Sequence, residues 1–591
     1  MIKLPPNGQW KQVNRGDLLG SILGSFNLDL TINPPALRTT GMVVTTVSST
    51  LGATTVDSDL TAAPAGFRFF IANSANKIWM IAGSKVHSNS GVVNGSFSVD
   101  ATASSPTNLD STKSDIELFN GNLYVTGGTS LYKMTNTPTW STNGTGLSGS
   151  GTHMLCVYAD RLYISNSTAA SIYSMSTGDT IATSSTYTLT LTNPPSNCIT
   201  FMRPVSNGIW IGVTNLNKGK AYMYLWDGSS SQVTKAVRLD AQGALACVIK
   251  DDVPWVLDSN GRLLAYNGGQ FKEVARLPNN DKYFKNAISN VNDRFIHPNG
   301  MSVVNGRINI LINNQVYDSS SSIEEFCPSG IWEYDENIGL YHKYSLNYTP
   351  SGTTTITSWG QNRVSAVGAL SDMKIDDPAS NANGILLAGA TIYTDSTSTV
   401  SGVFINDTMD TRQKFGYLVT PKILTQQLED SWKNIYIVLR RLINSTDRIM
   451  VKMRKTMADP TEATISWTST TEFTTTTDVS AYVAGDEIEI TQGKGGGLCA
   501  HITSISVAAG TYTVQIDETA TGVVSGNTAK ARFQKWTKLH SNDFSSQSDN
   551  FARFSVNENS GWIQFKICFL FTNKNEIYNI ILSNGVNKKV L

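Results

Sequence analysis

The sequence has little of the material from which long helices are built. Only 16% of its 591 residues are charged, whereas an average soluble protein has about 25%. Hardly any stretch is rich in Ala, Leu, Glu, Lys and Arg, the residues that favour helices. Ser, Thr, Asn and Gly supply the polar character instead, and these residues suit short strands and tight turns. The composition therefore predicts an all-β chain.

The sequence also has no excess of charge of either sign. Lys and Arg together number 46, and so do Asp and Glu, which gives a formal net charge of zero. This balance argues against a chain-wide field that attracts nucleic acid, although it does not exclude a local charged channel. Because neutral proteins tend to associate, the balance is also a weak indication of a protein inside an assembly.

Signals for membranes, secretion and disulfides are absent as well. Residues 1–6 show no charged region followed by an apolar run, so no signal peptide is expected. No apolar stretch approaches the roughly 20 residues that span a bilayer, so no membrane span is expected. The cysteines form no CxxC pair and are predicted to be buried free thiols in a protein that folds in a reducing cytosol. They are Cys156, Cys198, Cys247, Cys327, Cys499 and Cys568.

No catalytic motif is present, so we expect no enzyme activity and no cofactor or metal. The glycines of 493–497 lack the GxxxxGK[ST] pattern and the following helix of a phosphate loop, and are predicted to form a hairpin turn. The six histidines show no HExxH spacing, and there is no GxSxG motif. The enzyme alternative is a propeller glycosidase, which would need two carboxylates in a central funnel. Its candidates are Asp115, Asp160, Asp227, Asp258, Glu324, Glu325 and Asp335.

A loose repeat runs from about residue 67 to about residue 407. Each unit has an apolar strand, a turn such as Asn120-Gly121, a second strand centred on Trp or Tyr, and a third strand ending in an aromatic residue. Such turns are hairpin signals, because Asn and Gly accept the positive φ of a type I′ turn. Seven units occur, and the first five follow one another at about 40–47 residues, the spacing of propeller blades. We predict about seven blades, whose cores contain Trp79, Trp210, Trp255 and Trp332.

The first 65 residues do not fit the repeat. The segment 27–37 reads as extended chain, because Pro34 and Pro35 force extended geometry and deny ladder hydrogen bonds. A low-complexity Ser/Thr/Ala stretch follows. An extended arm of this composition needs a surface to hold it, and two possibilities remain open. The arm packs on its own propeller, or it lies on a neighbouring subunit.

After the propeller the pattern changes. Apolar and polar residues alternate in 433–438 and 562–567, as in a strand with one covered face. We predict a jelly-roll-like β-sandwich from residues 413–458 and 537–591, interrupted by a small β-barrel at 459–536. The arm is placed at 1–65 and the propeller at 66–412. The densest basic cluster consists of Arg440, Arg441, Lys452, Arg454 and Lys455, and is expected to form a solvated or interface face.

These parts together resemble structural proteins of tailed bacteriophage virions. The features that carry the resemblance are the Pro-containing arm, the divergent propeller and the sandwich whose insert contains the segments 485–490 and 502–505, together with the ending 562–567. The likeness is to propeller-bearing tail proteins, such as the nozzle of short-tailed phages. The resemblance rests on the order of these parts and on their sequence character. The chain departs from a typical nozzle in its neutral charge and in its lack of a long docking helix.

The resemblance implies a multicopy tail component, of nozzle or ring type, that joins the upper tail to the distal tail or fibres and lines the channel through which DNA leaves. Its partners would be copies of itself and other virion proteins, with non-specific DNA contact in a channel, and it would be made in the host cytoplasm without a signal peptide. Its position in the virion stays open between nozzle, ring, fibre attachment and head decoration. The interface residues expected on this basis are Trp10, Leu28, Leu30, Ile32, Pro34, Pro35, Arg440 and Arg441.

Two other functions remain open from the sequence. One is a protein that binds a host receptor or surface glycan through the long loops 318–330 and 374–383 of blades six and seven. The other is the propeller glycosidase.

Overall fold

A computed structural model of the chain describes the strands and most of the turns that connect them. The described residues are 2–4, 24–26, 28–32, 36–39, 42–44, 62–72, 75–89, 97–102, 104–147, 152–166, 170–176, 188–191, 197–215, 217, 219–278, 295–313, 329–347, 364–372, 386–393, 399–406, 414–420, 422–424, 432–439, 448–456, 458, 460–543, 551–558, 562–571 and 577–583. Within these ranges all regular secondary structure is β-strand, so the all-β prediction is confirmed. Among the same residues no helix has the length and apolar character needed to cross a bilayer.

Five short strands lie in the N-terminal arm. They are Ile2–Leu4 (β1), Gly24–Phe26 (β2), Leu28–Ile32 (β3), Ala36–Thr39 (β4) and Met42–Val44 (β5).

Seven antiparallel sheets follow, and each is one blade of a propeller. Blade 1 contains Phe67–Ala72 (β6), Ala75–Ala82 (β7), Lys85–Ser88 (β8) and Ser98–Val99 (β9). Blade 2 contains Ile116–Phe119 (β10), Asn122–Gly127 (β11), Ser130–Met134 (β12) and Trp140–Thr145 (β13). Blade 3 contains Leu155–Tyr158 (β14), Arg161–Asn166 (β15), Ser171–Ser176 (β16) and Leu189–Thr190 (β17). Blade 4 contains Asn197–Val205 (β18), Gly208–Asn215 (β19), Tyr222–Trp226 (β20) and Lys235–Arg238 (β21).

The remaining three blades complete the ring. Blade 5 contains Ala244–Lys250 (β22), Val253–Asp258 (β23), Arg262–Tyr266 (β24) and Phe271–Arg276 (β25). Blade 6 contains Met301–Val304 (β26), Arg307–Ile312 (β27), Gly330–Asp335 (β28) and Gly339–Tyr344 (β29). After Leu346–Asn347 (β30), blade 7 contains Val364–Asp372 (β31), Leu386–Tyr393 (β32) and Thr399–Asn406 (β33). The first strands of successive blades contact one another, and β31 contacts β6, so the ring closes.

The turns explain why these segments form hairpins. Four of the predicted turns have positive φ at both central residues, as a type I′ turn requires. They are Asn120-Gly121, Ala159-Asp160, Asp251-Asp252 and Asn305-Gly306. At 207–208 only Gly208 has positive φ, so this hairpin turns differently from the prediction. Inside the blades Trp79, Trp210 and Trp332 are at most 2% exposed, which confirms them as core residues, whereas Trp255 is only partly buried.

The arm completes blade 7. Strand β5 pairs antiparallel with β33 and is the fourth strand of blade 7. On its other edge β5 pairs in parallel with β30. The ring is therefore closed by a strand from far earlier in the sequence. The other arm strands pair with the C-terminal region: β1 and β4 with Ile577–Ser583 (β46), and β2 with Lys414–Val419 (β34). The described arm strands thus pair within their own chain, β5 with the propeller and the others with the C-terminal region or with each other. Contact of the arm with a neighbouring subunit stays a prediction.

The C-terminal region is a β-sandwich with an inserted β-barrel. Its other strands are Ile423–Leu424 (β35), Trp432–Leu439 (β36), Arg448–Arg454 (β37), Thr461–Ser469 (β38), Glu472–Thr475 (β39), Asp486–Gly493 (β40), Cys499–Ala508 (β41), Thr511–Ile516 (β42), Thr528–Asp543 (β43), Phe551–Glu558 (β44) and Trp562–Phe571 (β45). One sandwich sheet has the order β3-β4-β46-β36-β44, and the other begins β2-β34-β45-β37-β43. The six strands β43-β38-β39-β42-β41-β40 close on themselves, since β40 pairs again with β43.

The predicted fold class is therefore confirmed, whereas the jelly-roll connectivity and the boundaries at residues 65, 412, 458 and 536 stay predictions. The long strand β43 belongs to both units, because its first part lies in the barrel and its last part pairs with β37 in the sandwich. The two units nevertheless have separate apolar cores. The sandwich core includes Ile437, Phe554 and Phe565, and the barrel core includes Trp467 and Phe533.

Candidate functional site

A short segment before β26 crosses the inner end of the propeller. This crossing segment comprises residues 295–300, and Asn299 makes most of the contacts described below. The Asn299 side-chain amide donates to the Ala65 carbonyl at 3.2 Å and to Asp115 Oδ1 at 2.9 Å. Its backbone carbonyl accepts a hydrogen bond from the Leu370 amide at 2.8 Å. Because Asp115 begins blade 2, which is three blades from blade 6 in a ring of seven, Asn299 must lie near the propeller axis.

Arg203 joins two further blades to the crossing segment. It lies on β18 in blade 4, and its Nε donates to the Cys247 carbonyl of blade 5 at 2.9 Å. One terminal nitrogen donates to Met202 O at 2.9 Å. The other donates to Pro298 O at 2.9 Å and to Asn299 Oδ1 at 2.8 Å. The planar guanidinium and the crossing segment together occupy the axis at this end.

We expect the Arg203→Lys variant to lose about 2 kcal/mol of propeller stability. Lysine keeps the charge, but its ammonium is compact and cannot reach four carbonyl and amide oxygens in different directions. The measurement is urea unfolding followed by circular dichroism. The matched control is Arg276→Lys, because Arg276 forms an exposed pair with the neighbouring Glu273 on the outer strand β25. That control should change stability by less than about 0.5 kcal/mol. Equal unfolding midpoints for the two variants would contradict the prediction.

Two carboxylates lie beside the axis, and both are committed to structural contacts. Asp115 is 1% exposed and accepts hydrogen bonds from the amides of Ile116 and Leu155, both at 2.9 Å, besides that from Asn299. Burial raises its pKa above the ordinary value. Glu117 forms a two-point pair with Arg68, at 3.0 and 2.7 Å. Although burial raises the pKa of Glu117, the charge of Arg68 outweighs it and the pKa is lowered.

The other carboxylates considered for a glycosidase are likewise held in turns or ion pairs. Asp160 lies in a hairpin turn, and Asp227 accepts hydrogen bonds from Ser229 and Ser230 in its own loop. Asp258 pairs with Arg262 at 2.7 Å, and Asp335 pairs with Arg307 at 2.8 Å. Glu324 and Glu325 lie outside the described residues. Asp227, Asp258 and Asp335 thus have structural partners, and Asp160 has a structural place in its turn.

A second set of buried charges lies in the seam between the barrel and the sandwich. This seam is the contact of barrel strands β40 and β41 with sandwich strands β37 and β45. Glu487 is 1% exposed and accepts hydrogen bonds from the ammonium groups of two lysines, Lys452 on β37 and Lys566 on β45. Burial raises the pKa of Glu487, yet the two lysines outweigh it and lower the pKa well below its ordinary value. Lys452 Nζ also lies 3.3 Å from Cys499 Sγ.

The seam continues with a second group of pairs. Asp517 accepts hydrogen bonds from the His501 amide at 2.7 Å and from Lys538 Nζ at 2.6 Å. Arg448 pairs with Glu518 at 3.2 Å. Between these polar groups lies a small apolar cluster from both units, comprising Phe415, Tyr417, Val419, Met450, Cys499, Trp536, Cys568 and Leu570. The seam therefore combines ion pairs with a small core of its own.

The predicted basic face is partly wrong. Lys452 is 0% exposed and Arg454 is 6% exposed, so neither is solvated. Arg454 donates to Gln564 at 2.8 Å and stacks on the Trp536 ring at 4.1 Å, inside the seam. The strand carries basic residues because the barrel covers this face and supplies their partners. Lys455 is exposed.

The structure describes few of the predicted interface residues. Leu28, Leu30 and Ile32 lie on β3, which pairs with β4 at an edge of a sandwich sheet. The others lie outside the described residues: Trp10, Pro34, Pro35, Arg440 and Arg441. The interface prediction therefore stays a prediction.

The remaining motifs have structural explanations. The glycines 493–497 form the predicted hairpin turn between β40 and β41, with positive φ at Gly493, Gly495 and Gly497. Among the described residues no group of three His, Cys, Asp or Glu side chains is arranged to hold a metal ion. The five described cysteines form no disulfide, and Cys156, Cys247, Cys499 and Cys568 are buried, which confirms the prediction for these four. Cys198 is only partly buried, and Cys327 lies outside the described residues.

Comparison with known proteins assigns this chain to no family. No family model matches the sequence, and no curated protein matches it. Solved structures that match include the WD40 β-propeller domain of Doa1, with 11% identity, a TM-score of 0.35, and coverage of 59% of this chain and 97% of that one. BBS1N in complex with ARL6DN matches with 13% identity, a TM-score of 0.34, and coverage of 59% and 95%. A luciferin-regenerating enzyme matches with 11% identity, a TM-score of 0.30, and coverage of 50% and 91%.

Proposed function

We propose that this chain is a multicopy structural protein of a tailed bacteriophage virion, a nozzle or ring component of the tail. The observation that carries the proposal is the arm. Its strands complete both the last propeller blade and the sandwich, so that they tie the parts of the chain together. Arm strands that pair in both the propeller and the sandwich suit a protein that must withstand mechanical force. The order of arm, propeller and sandwich with inserted barrel is also the order that resembles the tail proteins.

The buried charges support a structural role over a catalytic one. At the propeller axis Asp115 and Glu117 are occupied by amides and by Arg68, and in the seam Glu487 is occupied by two lysines. Each of these carboxylates already has strong partners and would have to leave them to act on a substrate. The contacts therefore favour a role in which the groups hold the fold together.

The crossing segment bears on where DNA would pass in such a tail. Asn299 and Arg203 are hydrogen-bonded to each other at the inner end of the propeller and would block the passage of DNA along the propeller axis. In the proposed assembly the DNA channel would therefore lie between copies of the chain, along the axis of the ring, and not along the axis of any propeller.

The mass of the full-length protein in solution tests the proposal. We expect a ring-sized oligomer by light scattering over a range of concentrations. Removal of residues 1–60 is a poor test, because it also removes the fourth strand of blade 7. A better variant is Arg440→Glu combined with Arg441→Glu, which should dissociate the oligomer while the circular dichroism spectrum stays that of the folded all-β protein. The matched control is Lys272→Glu on the exposed side of β25.

Two outcomes would overturn the proposal. A monomer at every concentration would show that copies of the chain do not join directly. Binding of a monomer to a surface glycan in an array would favour the host-binding alternative instead.

A further inference from the structure

The seam between barrel and sandwich contains a histidine with an unused nitrogen. His501 on β41 is 1% exposed, and its Nδ1 lies 3.2 Å from Asp517 Oδ2. Its Nε2 is buried and has no hydrogen-bond partner among the described residues. Since the N–H on Nδ1 donates to the Asp517 carboxylate, the surroundings suit a neutral imidazole whose Nε2 carries no proton. A second proton, on Nε2, would find no acceptor there.

Charged groups from every neighbouring element face this histidine or the pair next to it. Glu487 lies directly across from His501 on β40, and Lys452 on β37 is near enough to disfavour its protonation. The full set is Cys499 on its own strand, Glu487 on β40, Asp517 and Glu518 after β42, Lys452 on β37, Lys566 on β45 and Lys538 on β43. A charged imidazole would therefore add a positive charge to a buried cluster in which one carboxylate already serves two lysines.

We propose that the barrel–sandwich seam is a pH-sensitive switch, in which protonation of His501 loosens the seam while the barrel and the sandwich each keep their fold. The separate cores of the two units make this selective. The sandwich core and the barrel core consist of apolar side chains, whereas the titrating groups are concentrated between them. Lowering the pH therefore weakens the contact between barrel and sandwich before it unfolds either unit.

The direction of the effect follows from the histidine. Burial, together with the charge of Lys452, lowers the pKa of His501 to about 4 in the closed seam. In an open seam the pKa returns to about 6.5. A base with a lowered pKa stabilises the closed state above about pH 6.5 and loses that contribution as the pH falls through about 4. The equilibrium constant for opening should therefore rise about a hundredfold between pH 7 and pH 4.

The carboxylates change this expectation in two opposite directions. The positive partners of Asp517 and Glu487 lower the pKa of each despite burial, so their stabilising pairs are lost below about pH 4 and act in the same direction as His501. Burial raises the pKa of Glu518, so this group opposes the histidine above about pH 4.5, within the same interval. The His501→Gln variant isolates the part that belongs to the histidine.

Thiol labelling of the full-length protein tests the proposal, because the chain carries both probes and controls. Cys499 and Cys568 lie in the apolar cluster of the seam, whereas Cys156 and Cys247 are buried in the propeller. The probe is dithiodipyridine, which reacts with thiols in acid, and each rate is divided by that of the same thiol in denatured protein at the same pH. We expect the labelling of Cys499 and Cys568 to rise about a hundredfold from pH 7 to pH 4, with Cys156 and Cys247 still protected.

Two variants separate the histidine from general acid sensitivity. His501→Gln should remove most of the rise. His342→Gln is the matched control, because His342 is a buried histidine of blade 6 whose Nε2 lies 3.0 Å from Ser329 O, outside the seam. It should leave the rise at the seam unchanged. A flat wild-type profile, equal labelling of all four cysteines, or a full rise in His501→Gln would each overturn the proposal, and the first two need no variant that folds.

Discussion

Replacing Gly368 by alanine should open the propeller where its first and last blades meet. A Cβ atom at Gly368 would lie 1.9 Å from the Pro64 carbonyl oxygen, a backbone atom that cannot turn away. The same oxygen accepts a hydrogen bond from the Ala369 amide at 2.8 Å. To make room, the chain that enters blade 1 must leave blade 7, so overpacking adds to a lost hydrogen bond. We expect a loss of roughly 3 kcal/mol or more.

Urea unfolding and protease sensitivity measure this effect, and two other glycines calibrate it. Gly389→Ala should act in the same direction but less strongly, because its Cβ would lie 2.6 Å from the same oxygen. Gly269→Ala is the control, since a Cβ there would have no heavy atom within 4 Å. It should be neutral within about 0.5 kcal/mol. A Gly368→Ala protein as stable as the Gly269→Ala protein would mean that Pro64 does not hold the ring closed.

The propeller was predictable because each blade carries its own local signals. A residue pair that accepts positive φ, such as Asn120-Gly121, sets a hairpin without help from distant parts of the chain. Two of the fourth strands gave no such signal. Ser98–Val99 and Leu189–Thr190 are only two residues long, too short for any alternation of apolar and polar residues to show.

Ring closure was not predictable because it joins distant residues. Strand β5 has three residues, and its partner Phe404 follows 360 positions after Val44 along the chain. Nothing in the sequence distinguishes Gly368 from a glycine in a turn, although its role is to let the Pro64 backbone approach closely. Only the fold shows that Pro64 lies against it.

The predicted basic face was partly wrong for a different reason. Lys452 and Arg454 alternate with Val451 and Met453, a pattern typical of a strand with one solvated face. Lys566 alternates in the same way with its apolar neighbours on β45. The barrel covers this second face, so the lysines are buried and need Glu487. Alternation shows that two faces differ in polarity, but it does not show what covers them.

Replacing Glu487 by glutamine should be the most damaging change in the seam. The glutamine keeps the shape of the side chain but leaves Lys452 and Lys566 buried without the carboxylate they share. Breaking a buried ion pair by removing one partner is strongly destabilising, because the remaining charge is uncompensated. We therefore expect the C-terminal region to lose about 3–5 kcal/mol, measured by urea unfolding with the labelling of Cys499 and Cys568 as the reporter of the seam.

The control separates burial from loss of a charge in general. Glu273→Gln removes a carboxylate of the exposed pair with Arg276 on β25, where side chains are 38% and 39% exposed. Exposed pairs contribute little, so this variant should stay within about 1 kcal/mol of the parent protein. A second variant, Lys452→Met in the Glu487→Gln background, should recover part of the loss, because it removes one of the two stranded charges and leaves an apolar side chain in a buried place. If Glu487→Gln proved no worse than Glu273→Gln, the lysines would have to be reaching water or other anions, and the seam would not be held by this carboxylate.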